Sequence, residues 1–365
     1  MRSEPELAPD TAIADDTPIA DHATAKRPWM RIAKWVIVVS VLAGLTFAVR
    51  KSHQHWNSQP VDERLSIADL NWRWLIAAAA FYALGLMPAT IVLATALKSL
   101  GVKARLPGVI AAQLIGHLAK YVPGKAMVII VRAALLNRSG AVVSIRAAAL
   151  AIGIETLTLI ASGATVAFVS LLIIDPTVWL MTPWLRDQVS VSWIKPLAVV
   201  FAIASALCTL PGVLRWVMAR RVVRGTLSFH WTSRNVLVAW FWNLVAWGLM
   251  GASTTAIVMA LPGETLRDNG VLSGSLFASC LAAVTLAYVA GFLSLLPGGA
   301  GVRELALTAL LSPIAGTSGA FVVAIVMRMT HLVVESFLAT IVWSHLAYTA
   351  SKSSKSPQVQ RNVID

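Results

Sequence analysis

Arg303 and Glu304 follow a run of helix breakers, Leu296-Pro297-Gly298-Gly299-Ala300-Gly301-Val302, in a chain that is otherwise nearly all lipid-soluble. Backbone freed by Pro and Gly finds no water inside a bilayer, so such a break survives only where protein buries it or a polar cavity borders it. Pro297, Gly298, Gly299 and Gly301 therefore mark a candidate working part. Arg303 and Glu304 fall in the first turn of the helix that follows, where backbone N–H groups and the positive dipole end favour anions. With Arg303 added the place suits a phosphate, and Glu304 is either its neutralising partner or a proton acceptor. Adjacent helical residues point about 100° apart, which leaves room for a further partner for each. The plainer alternative is a buried salt bridge that only pins the segment.

A second break, Pro123-Gly124, is flanked by Lys120, Tyr121 and Lys125. As point charges near the cytoplasmic leaflet these lysines suit a lipid phosphate, and snorkelling to the interface accounts for them equally well. Arg328, His331 and Glu335 are spaced by three and four, so one helix face carries all three. Intramembrane ionisable groups cost of order 3 kcal/mol each on insertion scales and face a cavity or a partner. The trio reads as a proton relay, since His titrates near neutrality, or as an ion pair between neighbouring turns. Glu155 has no cation within four residues. Its partner comes from Lys120, Lys125, Arg132 or Arg328, or else it carries a proton. His331-x-x-x-Glu335 lacks the second histidine of a zinc motif, and Cys208 and Cys280 stand singly in apolar runs. Neither a metal nor another cofactor is expected.

The elements that position these groups are apolar helices. The chain has 365 residues, 57% apolar and 13% charged, with a mean hydropathy of +0.73, far from the balance of a soluble domain. The fold class is all-α, a polytopic membrane helix bundle. Runs of about 20 apolar residues mark spans at 32–49, 75–97, 147–174, 196–213, 235–261 and 319–343. Regions 107–137 and 273–312 are each cut by Pro-Gly into arms of uneven length, and each reads as a re-entrant helix hairpin or as a span joined to a half helix. Residues 1–27, acidic and without apolar periodicity, read as a disordered cytoplasmic tail; so long an acidic leader is not a cleavable signal. Residues 28–345 form the membrane domain, and 346–365 a polar tail.

Cytoplasmic loops collect Lys and Arg. With the N-terminus inside and both interrupted regions re-entrant, 21 of these cations fall inside against seven outside, and Arg303 and Arg328 stay in the membrane. Both termini are then cytoplasmic. The same arrangement makes 32–174 and 196–343 two inverted halves, each a span, a span, a hairpin and a span, a recurring transporter plan.

Gly116-His117-Leu118-Ala119-Lys120-Tyr121-Val122-Pro123-Gly124-Lys125, the downstream Glu155 and the block Leu296 to Glu304 together resemble the flippase-like membrane domain family. That family includes the transmembrane region of lysylphosphatidylglycerol synthetases and stand-alone bacterial membrane proteins, and the likeness spans roughly residues 30 to 345. The resemblance implies a bacterial inner-membrane protein that binds or moves lipids, or lipid-linked intermediates, between leaflets. In the two-part synthetases a soluble aminoacyl-transferase domain follows; here a short tail does, so aminoacylation by this chain alone is not expected.

The partners expected are membrane lipids; a homo-oligomer and a separate lipid-modifying enzyme are compatible with the sequence. The net charge of +13 is dispersed over loops without a basic-aromatic surface, so nucleic acid is not among them. Arg215, Arg220, Arg221 and Arg224 form a basic loop that sets topology. No phosphate-loop or nucleotide signature points to ATP-driven pumping. Two other classes stay open: a membrane enzyme with Glu304 or Glu335 as base, and a non-catalytic envelope scaffold.

Overall fold

The computed structural model describes residues 69–121, 126–173, 191–221, 229–262, 274–294, 299 and 301–355. Among these residues there is no strand. The apolar run 32–49 and the helix-break residues Pro123, Gly124, Pro297 and Gly298 lie outside the described residues.

Asn71 caps the first described helix, α1 (Trp72–Ser99), by accepting the Arg73 N–H at 3.1 Å. Its antiparallel partner is α7 (Ser233–Met259), capped by Thr232. The two are tied at both ends through the backbone: Asn71 N–H donates to Ala260 O at 2.9 Å, and His230 N–H to Ser99 O at 2.8 Å. Between the ties the helices lie in contact at Gly85, where a Cβ would stand 3.4 Å from Leu249 Cβ. Ser253 Oγ donates to the Ala78 carbonyl at 2.8 Å in the same seam.

Next come α2 (Leu106–Leu118), which runs into a 3-10 turn over Ala119–Tyr121, and α3 (Ala126–Arg138). Each has 13 residues, about 20 Å at 1.5 Å per residue and shorter than the roughly 30 Å hydrocarbon core. They pack on each other, and α2 also packs on α9. The long α4 (Ile145–Ile173) follows and packs against α8.

The expected span 196–213 is two helices. α5 (Val191–Leu207) ends before a turn, and Pro211 opens α6 (Pro211–Arg221). A proline at the first helical position has no N–H to continue the preceding helix and a φ suited to starting the next. In the turn, Thr209 Oγ1 accepts from Trp240 Nε1 at 2.8 Å, which fixes it to α7.

The second interrupted region has arms of uneven length. Its first part, α8 (Gly274–Leu293), has 20 residues, about 30 Å and a full crossing length. Its second part is continuous with the last run in α9 (Val302–Lys355), broken only at Gly316, where φ is 66° and ψ 165°. That backbone region is essentially reserved for glycine, so one residue divides α9 into 302–315 and 317–355. Five of the described helices, α1, α4, α7, α8 and α9, are long and apolar enough to cross a membrane.

Burial follows the same division. One apolar cluster gathers Leu93, Leu97, Leu136, Ile154 and Trp231, and another Ile257, Val284, Leu307, Leu311 and Met327. A smaller one, Tyr82, Leu86, Leu114 and Val334, joins α1, α2 and α9. The ionisable groups come together around this third cluster.

Candidate functional site

Glu335, on the second arm of α9, is 1% exposed. Lys120, brought to it by the 3-10 turn after α2, donates from Nζ to Glu335 Oε1 at 2.5 Å. Tyr82 of α1 donates its hydroxyl to the same oxygen. The other oxygen, Oε2, is buried without a hydrogen-bond partner among the described residues. The Lys120 side chain, by contrast, keeps 25% of its surface exposed.

One turn back on α9, His331 stacks on the Tyr82 ring, with centroids 3.6 Å apart and planes 16° from parallel. His331 Nδ1 is 3.0 Å from the Tyr288 hydroxyl of α8. Over the Tyr288 ring lies the Arg303 guanidinium, 4.5 Å from the centroid, a cation–π contact strengthened by its dry setting. Trp247 of α7 meets the other side of this layer edge-on, 5.7 Å from Tyr288. Its indole N–H is held by Leu159 O and Ser162 Oγ of α4.

Glu304 organises the start of α9. Its Oε2 accepts the Gly301 N–H at 2.6 Å, as the third-turn-position carboxylate of a capping box does. Its Oε1 takes the Arg328 guanidinium from beyond the Gly316 break. Arg303 Nε is 3.9 Å from that same oxygen. Adjacent residues pointing apart explain why Arg328 forms the closer pair. Of the helix-start N–H groups, that of Gly301 is satisfied by the chain's own Glu304.

The breaks before α9 depend on glycine. Gly299 and Gly301 have φ of 66° and 84°. A Cβ on Gly299 would stand 2.9 Å from Gly291 Cα of α8, so the returning chain touches α8 backbone to backbone.

Glu155 belongs to a second unit, which adjoins the first at His117. Its Oε2 accepts Arg132 Nη1 at 2.6 Å and its Oε1 accepts Gln113 Nε2 at 2.9 Å, while Gln113 reaches His117 at 3.4 Å. Of the cations considered for Glu155, the structure selects Arg132. Gly116 makes room for it, because a Cβ there would meet Arg132 Cγ at 2.5 Å. This unit ties α2, α3 and α4 together with no net charge.

The residues singled out in sequence thus divide. Lys120, Arg303, Glu304, Arg328, His331 and Glu335 form one connected cluster, and Glu155 pairs outside it, next to it through Gln113 and His117. Arg328, His331 and Glu335 share a face, yet the ion pair within that face does not form: Arg328 goes to Glu304 and Glu335 to Lys120. Lys125 and the Tyr121 side chain lie outside the described residues. Tyr82, Tyr288, Gln113 and His117 were missed. A signal existed for the tyrosines: two of the chain's four lie well inside apolar runs, away from the interfaces that Tyr favours.

No curated protein matches the chain. One family does, described as the lysylphosphatidylglycerol synthase TM region, and it matches residues 32–339. Five helices of crossing length and a match over most of the chain make this a multi-pass membrane protein, and the chain belongs to the lysylphosphatidylglycerol synthase transmembrane-region family.

Proposed function

We propose that the protein binds a phospholipid or lipid-linked intermediate and passes it between leaflets without hydrolysing ATP. One observation carries the reading. Among the described residues, three cations, Lys120, Arg303 and Arg328, are gathered around two carboxylates, Glu304 and Glu335. An excess of one positive charge among apolar helices suits the single negative charge of a phosphodiester, and low dielectric strengthens that attraction. Lys120 and Arg303 each come from an interrupted segment, and irregular backbone at membrane depth is tolerated where protein buries it or where it borders a polar cavity.

In this reading the two interrupted segments are re-entrant and the halves 32–174 and 196–343 are inverted. The antiparallel α1 and α7 pair, equivalent spans of the two halves, supports it. So does reciprocal packing, in which α2 meets α9 of the other half and α8 meets α4. The membrane is the bacterial inner membrane, with both termini cytoplasmic.

Liposome reconstitution with fluorescent phospholipids and lipid-linked sugars tests the proposal. Exchange of at least one head-group class well above protein-free vesicles is expected; no exchange for any class sinks it.

A further inference from the structure

We infer that capture of a phosphodiester at Lys120 is coupled to uptake of one proton by Glu335, so that anion and proton occupy the site together. The inference rests on the lipid-handling reading and goes beyond it by naming the coupling.

The asymmetry of the pair carries it. Lys120 keeps a quarter of its side-chain surface exposed, whereas Glu335 has none. An incoming anion therefore finds the Lys120 side chain open to it and the carboxylate closed. As the phosphate takes over Lys120, Glu335 loses the partner that offsets its charge in a place without water. A carboxylate left in that state binds a proton, because burial disfavours its charged form. The proton comes from bulk water and forms the O–H bond on Glu335; Lys120 keeps its own. Oε2 is the oxygen that takes it, being buried without a hydrogen-bond partner among the described residues. Tyr82 holds Oε1 in either state through its hydroxyl.

The groups around Glu335 permit this. Facing it are Lys120 and His117 from the α2 segment, Tyr82 from α1 and Tyr288 from α8. His331 lies on its own helix, and Arg303 and Arg328 act on His331 and Lys120 from the next layer. Beyond Arg234, α7 holds no ionisable residue. Glu304, the other carboxylate of the cluster, is held by Arg328 and the Gly301 N–H. Glu335 is thus the carboxylate whose cation is open to exchange. A proton gained with each anion leaves the charge of the cluster unchanged, the least costly course in a low-dielectric site.

The test uses full-length protein in nanodiscs of zwitterionic lipid, with dihexanoyl phosphatidylglycerol as probe and dimethyl phosphate as its chain-free counterpart. Both are phosphodiesters and do not titrate between pH 5 and 8. Calorimetry in buffers of different ionisation enthalpy reads the protons taken up per anion bound. About one proton is expected, with affinity rising about tenfold per unit fall in pH, the slope of a one-proton linkage. Binding of the lipid but not of dimethyl phosphate assigns the site to a lipid head group; equal binding of both assigns it to phosphate in general, with the coupling intact.

Glu335→Gln should bind the probe with no proton uptake and a flat pH profile. If that variant misfolds, Tyr82→Phe serves instead. Removing a donor to the carboxylate favours its protonation, so the pH midpoint should move upward while one proton is still taken up. Wild-type binding without proton uptake overturns the coupling and leaves lipid handling standing. Absence of both binding and leaflet exchange overturns both.

Discussion

The ammonium of Lys120 and the carboxylate of Glu335, 215 positions apart in the chain, meet at 2.5 Å between the turn after α2 and the second arm of α9. Neither residue has an opposite charge to pair with on its own helix turn. Each is therefore held by the packing of the first interrupted segment on the last long helix, and the pair reports on that packing directly.

Removing one member should cost more than removing both. Lys120→Met leaves Glu335 buried with Tyr82 as its remaining donor, whereas Lys120→Met with Glu335→Gln leaves no stranded charge. Breaking a buried pair one-sidedly costs roughly 3–5 kcal/mol, and the partial exposure of Lys120 places this one toward or below the low end. Thermal unfolding in detergent should give a double-mutant coupling of about 1–3 kcal/mol. Additive effects would show that the two residues do not depend on each other.

Gly299 and Gly316 share a φ of 66° but not their surroundings. A Cβ at Gly299 meets Gly291 Cα at 2.9 Å, whereas at Gly316 it meets nothing within 4 Å. Gly316→Ala should therefore be destabilised by backbone strain alone, about 1–3 kcal/mol. Gly299→Ala should be destabilised more, since α8 must also move away from the returning chain. Comparing the unfolding midpoints of the two variants checks the order; a milder Gly299→Ala would contradict the close approach.

The two ends of the bundle are separated by contacts. Asn71 meets Ala260, and Gly319 lies against Leu261, at one end. Ser99 meets His230, and Arg138 lies over Trp343, at the other. Lys98, Lys103, Arg105 and Arg138 belong to the second end, which the positive-inside rule assigns to the cytoplasm. In a variant lacking the exposed Cys208, a cysteine replacing Val142, 96% exposed, should label from the cytoplasmic side. One replacing Thr317, exposed beside the Gly316 break, should label from outside. Labelling of both from one side would refute the proposed orientation.

By itself the sequence determined the class of protein and most of its groups of interest. Apolar run length is a one-dimensional property, so helices near 75–97, 147–174 and 235–261 could be read directly. The energetic rarity of intramembrane charge picked out Arg303, Glu304, Arg328, His331 and Glu335. Only the tertiary structure decided who meets whom. Helical spacing fixes the direction in which Glu335 points, but the cation found there depends on which element packs against that face. The structure brings Lys120 to it and sends Arg328 to Glu304. Gly316 escaped notice because an isolated glycine in an apolar run carries no mark of its φ. Tyr82 and Tyr288 become part of the site for the same reason as Lys120: helices far apart in the chain bury their polar ends against one another, where no water can satisfy them.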